Sequence, residues 1–114
     1  MLTGAHRFHR QDQVTYGRPA TEAVRELATG WGARRILVTT TRSLADGLAA
    51  QFASALGDLC VGVFPELGAH SPREGVLRGV SEARRVDADL LVALGGGSVI
   101  DATKVMQLCL WAGL

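Results

Sequence analysis

The stretch "DLLVALGGGSVIDATKV", residues 89–105, decides how the chain is read. From Asp89 to Leu94 it is almost wholly apolar, the pattern of a strand covered on both faces. Three glycines follow, and then a second apolar run with helical spacing. At a strand-to-helix junction, glycine lets the backbone approach a ligand closely and adopt dihedrals closed to other residues. The helix behind it presents free N–H groups and the positive end of its dipole. Together these features make an anion site, most often one for phosphate. Ser98 is placed to cap the helix, and Asp101 to reach back in a capping box. A tight turn with a good cap needs fewer than three glycines, so phosphate binding is the favoured reading.

Two familiar phosphate motifs do not fit. G-x-G-x-x-G follows the first strand of its unit, whereas this tract follows the last strand of the chain. A P-loop ends in G-K-[ST], and "GGGSVIDATK" does not.

The rest of the chain frames the tract. "RFHRQDQVTYG" (residues 7–17) reads as a strand or hairpin. Pro19 opens a helix with Ala20, Ala23, Val24, Leu27, Ala28 and Trp31 on one face, stopped by Gly30 and Gly32. "RRILVTT" (34–40) is a short β-branched strand. Leu44, Leu48, Phe52 and Leu56 then repeat every four residues, widened by Ala49 and Ala55, up to Gly57. "CVGVFPEL" (60–67) is a strand. Ser71 is the N-cap and Pro72 the first residue of the next helix, which buries Val76, Val80 and Ala83. Strand and helix alternate four times. That order predicts an α/β, Rossmann-like fold, with a mainly parallel sheet flanked by helices and an N-terminal strand or hairpin.

The totals suit one soluble domain. The chain has 114 residues, 47% apolar and 20% charged, with a formal charge of +1. No basic block suggests a nucleic-acid or membrane partner. Arg34-Arg35 and Arg84-Arg85 read as solvated helix ends. Cys60 and Cys109 read as buried thiols of a reducing compartment. The N-terminus lacks the apolar core of a signal peptide, and no run reaches the ~18 apolar residues of a membrane span. A cytoplasmic protein is expected.

"DADLLVALGGGSVIDATKV" resembles the GGGS-x-x-D-x-x-K signature of the iron-containing (group III) alcohol dehydrogenase family. "GARRILVTT" resembles that family's second strand, and "FPELGAHSPREGV" the segment before its glycine tract. The resemblance covers nearly the whole chain but only the family's N-terminal half. It implies a dinucleotide-binding domain whose Gly95, Gly96, Gly97 and Ser98 hold the cofactor pyrophosphate. Asp101 and Lys104 complete the signature and are expected to brace the loop and helix. The maleylacetate reductases are close relatives, and "HSP" is similar to their sequence. Their motif usually lacks the Asp, so Asp101 leans toward the alcohol dehydrogenases proper.

The resemblance also bears on the cofactor, NAD or NADP. Many NAD-using members end the second strand in Asp, which binds the ribose hydroxyls and repels a 2′-phosphate. Here Thr40 stands at that point, followed by Thr41 and Arg42. The repulsion is gone and Arg42 suits a phosphate, so NADP is expected to be accepted alongside NAD. The family's divalent metal, Fe or Zn, is held by Asp and His of a second, helical domain. Residues 99–111 are apolar on nearly every side, as a helix buried on more than one face is. Residues 1–114 are therefore taken as an N-terminal nucleotide-binding domain, with the helical metal-binding domain outside the sequence.

Other residues carry less. His6 and His9 are three apart in a strand-like segment and face opposite sides. His70 is on a loop near the ligand crevice. Trp31 and Trp111 fit helix faces, and Asp87 and Asp89 are turn residues. Three readings stay open. The chain is the nucleotide-binding half of a metal-dependent oxidoreductase acting on a small alcohol, aldehyde or keto substrate, alone or as a homo-oligomer. Or it is a freestanding nucleotide-binding module. Or it is a flavodoxin-like interaction domain whose glycines only turn the chain.

Overall fold

A computed structural model describes residues 20–69 and 71–113. The expected N-terminal strand or hairpin, His6, His9 and His70 lie outside the described residues.

Among the described residues, three parallel strands form the sheet: β1 (Ile36–Thr39), β2 (Cys60–Phe64) and β3 (Leu90–Ala93), in the order β2-β1-β3. β1 is central and fully buried. The continuous apolar run expected to be covered on both faces is β3, yet β3 is only half-buried. Its position at the edge of the described strands explains this, since among them it has one neighbour where β1 has two. Along β1 the pleat sends alternate side chains to opposite faces. Ile36 and Val38 join Ala28, Phe52 and Leu56 on one side, while Leu37 joins Phe64, Val76, Val80, Val99 and Met106 on the other.

Helix α1 (Ala20–Trp31) contributes Ala28 to the first face. It continues through Gly30 and stops at Gly32, whose φ of +75° only glycine takes up readily. Trp31 does not complete the apolar face; it is exposed at the helix end.

After β1 the chain forms α2 (Arg42–Leu44), a π-helical turn (Ala45–Ala49) and α3 (Ala50–Leu56). A π turn inserts one residue and slips the phase of the helix by about 100°. The four-residue repeat is consequently broken at Leu48, which is exposed, while Ala49, Phe52 and Leu56 are buried.

Helix α4 (Pro72–Arg85) forms as its sequence predicts. The Glu74 N–H donates to Ser71 Oγ at 3.2 Å, Pro72 occupies the first turn, and Val76, Val80 and Ala83 are buried. Gly75 and Gly79 are buried with them. A Cβ on Gly79 would meet Met106 Sδ at 2.6 Å, which shows how closely α4 and α5 (Gly97–Ala112) pack. Helix α5 buries Val99, Thr103 and Met106, and leaves Ile100, Val105, Leu108 and Trp111 exposed on the other side.

Two further expectations change. Cys60 and Cys109 are free and half-buried rather than enclosed. Arg35 is not a solvated helix end: its guanidinium donates to the Val86 carbonyl at 2.7 Å (Nη2) and 3.0 Å (Nε), fastening the start of β1 to the end of α4. Asp89 is likewise more than a turn residue. Its carboxylate accepts from the N–H of Arg34 (3.0 Å) and of Arg35 (2.8 Å). The Asp89 N–H donates back to the Arg35 carbonyl at 2.8 Å. No described helix is long and apolar enough to cross a membrane.

Candidate functional site

The neighbouring strands β1 and β3 send their following helices to opposite faces. The path after β1 reaches α3 on the Ile36/Val38 side, and β3 leads to α5 on the Leu37 side. In an open parallel sheet, such a switch point opens a crevice beyond the carboxyl ends of the strands, where ligands bind. Thr40 and Gly95 stand at that edge.

The junction is tied at the backbone and the side chains. The Leu94 N–H donates to the Thr39 carbonyl at 2.9 Å, and Thr40 Oγ1 donates to the Leu94 carbonyl at 2.8 Å. Thr40 is fully buried, and its hydroxyl is committed to the loop. Thr41 and Arg42 follow at the surface. Thr41 Oγ1 lies 3.0 Å from Ser43 Oγ, and Arg42 is exposed.

The three glycines have different reasons to be glycine. Gly95 has φ +153°, and a Cβ there would lie 2.8 Å from Val99 Cγ2. A side chain at that position would be strained in its backbone and would crowd Val99. Gly96 has φ −85°, an ordinary value, and added Cβ atoms on Gly96 or Gly97 would meet nothing within 4 Å. Neither packing nor dihedral demands glycine at these two positions, and both are exposed at the crevice.

The start of α5 differs from the expected one. Gly96, not Ser98, is the N-cap, and no side chain caps the helix. Ser98 lies inside the first turn, two residues too late for a capping box with Asp101. The reason is that Gly97 already enters helical geometry, directly after the extended Gly96. The first bonds run from the N–H groups of Val99 and Ile100 to the Gly96 carbonyl, at 3.1 and 3.2 Å. The N–H groups of Gly97 and Ser98 precede that ladder and face the open end of the helix. Ser98 and Asp101 are exposed and line a groove of about 630 Å3 between α4 and α5, together with Pro72, Val76 and Val105. Lys104 is exposed on the opposite flank, near Gln107.

The sequence reading missed two site-adjacent residues, Thr39 and Thr103. Their hydroxyls lie 2.7 Å apart in the core beneath the glycines. The available signal was a threonine occupying the buried helical stripe of Val99 and Met106. Among the described residues, no group of three His, Cys, Asp or Glu side chains gathers to hold a metal.

Comparison with known proteins agrees with this arrangement. The family model for iron-containing alcohol dehydrogenase matches residues 11–112. A maleylacetate reductase of Cupriavidus pinatubonensis is 41% identical over 96 residues, which is 84% of this chain and 26% of that protein. Among solved structures, a putative alcohol dehydrogenase from Ralstonia eutropha superposes with a TM-score of 0.77 at 31% identity, covering 87% of this chain and 28% of the other. Maleylacetate reductase from Agrobacterium tumefaciens gives a TM-score of 0.71 at 34% identity, with 87% and 30% covered. The chain thus spans little more than a quarter of the length of the curated relatives it matches. Maleylacetate reductases stand prominently among these matches, so Asp101 carries less weight in separating the two groups than the motif suggested. With a parallel Rossmann-like sheet, the glycine tract at its switch point and a family match over nearly the whole sequence, the chain belongs to the iron-containing alcohol dehydrogenase family.

Proposed function

We propose that this chain is the dinucleotide-binding part of an NAD(P)-dependent oxidoreductase acting on alcohol or carbonyl groups. The backbone of Gly95, Gly96, Gly97 and Ser98 surrounds the cofactor pyrophosphate, and the open N–H groups of Gly97 and Ser98 donate to it. The observation that carries this reading is the free space at Gly96 and Gly97, where glycine serves neither packing nor backbone geometry. A phosphate approaching the backbone is what a side chain there would block. Bound in this way, the dinucleotide supplies or accepts a hydride.

The adenosine end extends over the carboxyl end of β1, the strand beside the glycine loop. Thr40 shapes that edge through its bond to Leu94, while Arg42 provides the charge that tolerates a 2′-phosphate. We therefore favour use of NADP as well as NAD. Asp101 borders the site from the groove side.

The divalent metal, Fe or Zn, that polarises the substrate oxygen belongs on this reading to a helical domain in the longer relatives, beyond the matched segment. The substrate is a small alcohol, aldehyde or keto compound, and maleylacetate, named by the relatives, is the first to try. Cytoplasmic location and self-association fit the same reading.

Titration of the chain with NADPH and NADH, followed by fluorescence, tests the proposal. Saturable binding that Gly96→Val abolishes, with an unchanged circular-dichroism spectrum, is the expected result. Equal binding by wild type and Gly96→Val overturns it.

A further inference from the structure

Beneath the glycine loop lies a chain of hydroxyl bonds that joins the central strand to the first turns of α5. Thr103 Oγ1 donates to the Val99 carbonyl at 2.7 Å, the usual back-bond of a helical threonine. Its single proton is thereby used. The 2.7 Å contact between the two hydroxyls must then run from Thr39 Oγ1 as donor to Thr103 Oγ1 as acceptor. Thr39 Oγ1 has only a longer approach, 3.5 Å, to the Val92 carbonyl. Thr39 is fully buried and Thr103 is 8% exposed, so no water competes freely for these protons. Val99 in turn is 2% exposed, and its Cγ2 occupies the space that a side chain on Gly95 would need.

The consequence is a continuous path from β1 through Thr103 and Val99 to Gly95. From the other side, Thr40 holds the Leu94 carbonyl, one residue before the glycines. We infer that Thr39 and Thr103, with Thr40, are positioning residues for the phosphate-binding glycine loop: they fix the loop and the N-terminal turn of α5 relative to the sheet. This rests on the dinucleotide reading above and deepens it. Neither Thr39 nor Thr103 reaches the ligand. They act by keeping the donors of Gly97 and Ser98 in one arrangement before binding, which removes an ordering cost from the binding step.

The test uses three variants of the full 114-residue chain. Thr103→Val keeps the shape and removes the hydroxyl. Thr103→Ser keeps the hydroxyl. Thr39→Val cuts the same link from the strand side and leaves the Thr103 back-bond in place. Without ligand, 15N relaxation of the Gly95–Ser98 amides is expected to show added motion in Thr103→Val and Thr39→Val, and wild-type behaviour in Thr103→Ser. NMR titration is then run with two probes, ADP and adenosine. Both valine variants are expected to lose about tenfold in ADP affinity, of the size of one net hydrogen bond, with adenosine affinity unchanged. Thr103→Ser is expected to restore ADP binding. Valine variants with wild-type loop relaxation and wild-type ADP affinity overturn the inference. So does an equal loss for ADP and adenosine, which is the mark of general structural damage. Failure of the wild type to bind ADP removes the dinucleotide reading and any role of these threonines in binding, while the relaxation measurement still decides whether they hold the loop.

Discussion

Gly95 and Val99 are locked together: a Cβ on the glycine would sit 2.8 Å from Cγ2 of the valine, at a backbone φ of +153°. Gly96 and Gly97, the next two residues, have open space around them. Gly95→Ala should therefore destabilise the chain by about 1–3 kcal/mol, through strain and overlap. Gly96→Ala and Gly97→Ala should leave the urea midpoint within experimental scatter while weakening NADPH binding. Urea titration and fluorescence titration of the three variants separate these effects. Unimpaired NADPH binding by both Gly96→Ala and Gly97→Ala would argue that the two glycines serve only the turn.

Cofactor preference should respond at Arg42 rather than at Thr40. Thr40 is fully buried and its hydroxyl is engaged by Leu94. Thr40→Asp would force a carboxylate into the sheet edge, and lower stability is its first expected effect. Arg42→Ala leaves the core untouched. It should reduce NADP affinity about tenfold, consistent with one charge-assisted contact, and leave NAD affinity as it was. Calorimetric titration with each cofactor checks this, and an unchanged NADP:NAD ratio counts against a 2′-phosphate contact at Arg42.

The outer side of α5 should be sticky. Val105, Leu108 and Trp111 are 46%, 44% and 39% exposed there. Burial of one such side chain is worth roughly 1.5–3 kcal/mol, and an exposed apolar patch usually marks an interface. Sedimentation at micromolar concentration should show self-association, reduced by Leu108→Lys. Leu110, in the same apolar run, is half-buried and should matter less. A clean monomer for the wild-type chain would contradict the expectation.

At the opposite end of the sheet, Asp89 should be a stability residue. Its carboxylate accepts from the backbone N–H groups of both Arg34 and Arg35. Asp89→Ala removes these acceptors and should cost about 1–3 kcal/mol. Asp89→Asn, which keeps one carbonyl oxygen, should cost less. Denaturant titrations provide the comparison, and wild-type stability in Asp89→Ala would mean that the acceptor oxygens contribute nothing measurable.

Acid should weaken α4 through Glu82. The hydrogen bond from Arg85, 2.6 Å from Nη2 to Oε2, holds this carboxyl below its usual value, assisted by the charge of the guanidinium and opposed by partial desolvation. A lowered folded-state pKa contributes stability above the unfolded value near 4.5 and loses it as pH falls through the folded value. The pair is at the surface, so the effect is small and screened by salt. Glu82→Gln should flatten the acid limb of the stability curve at low ionic strength. An identical acid limb in wild type and variant would show that the pair does not contribute.

The sequence by itself determined the alternation of strands and helices, the cap at Ser71, the buried stripe of α4, the glycine junction and the family. These are local matters: apolar period, turn chemistry and a short motif are written in neighbouring residues. Tertiary structure decided what depends on residues far apart in the chain. It put β3 at an edge and β1 at the centre, so a run that looks fully covered is half-open. A π turn shifted the phase after β1 and exposed Leu48, which a regular period could not foresee. It moved the start of α5 from Ser98 to the glycines, because the N–H groups of Val99 and Ile100 find the Gly96 carbonyl. It also gave Thr39, Thr40 and Thr103 their partners. A threonine in an apolar run looks the same in sequence whether its hydroxyl bonds its own helix or a strand 64 residues away. A buried hydroxyl must find an acceptor, and only the packed chain decides which one.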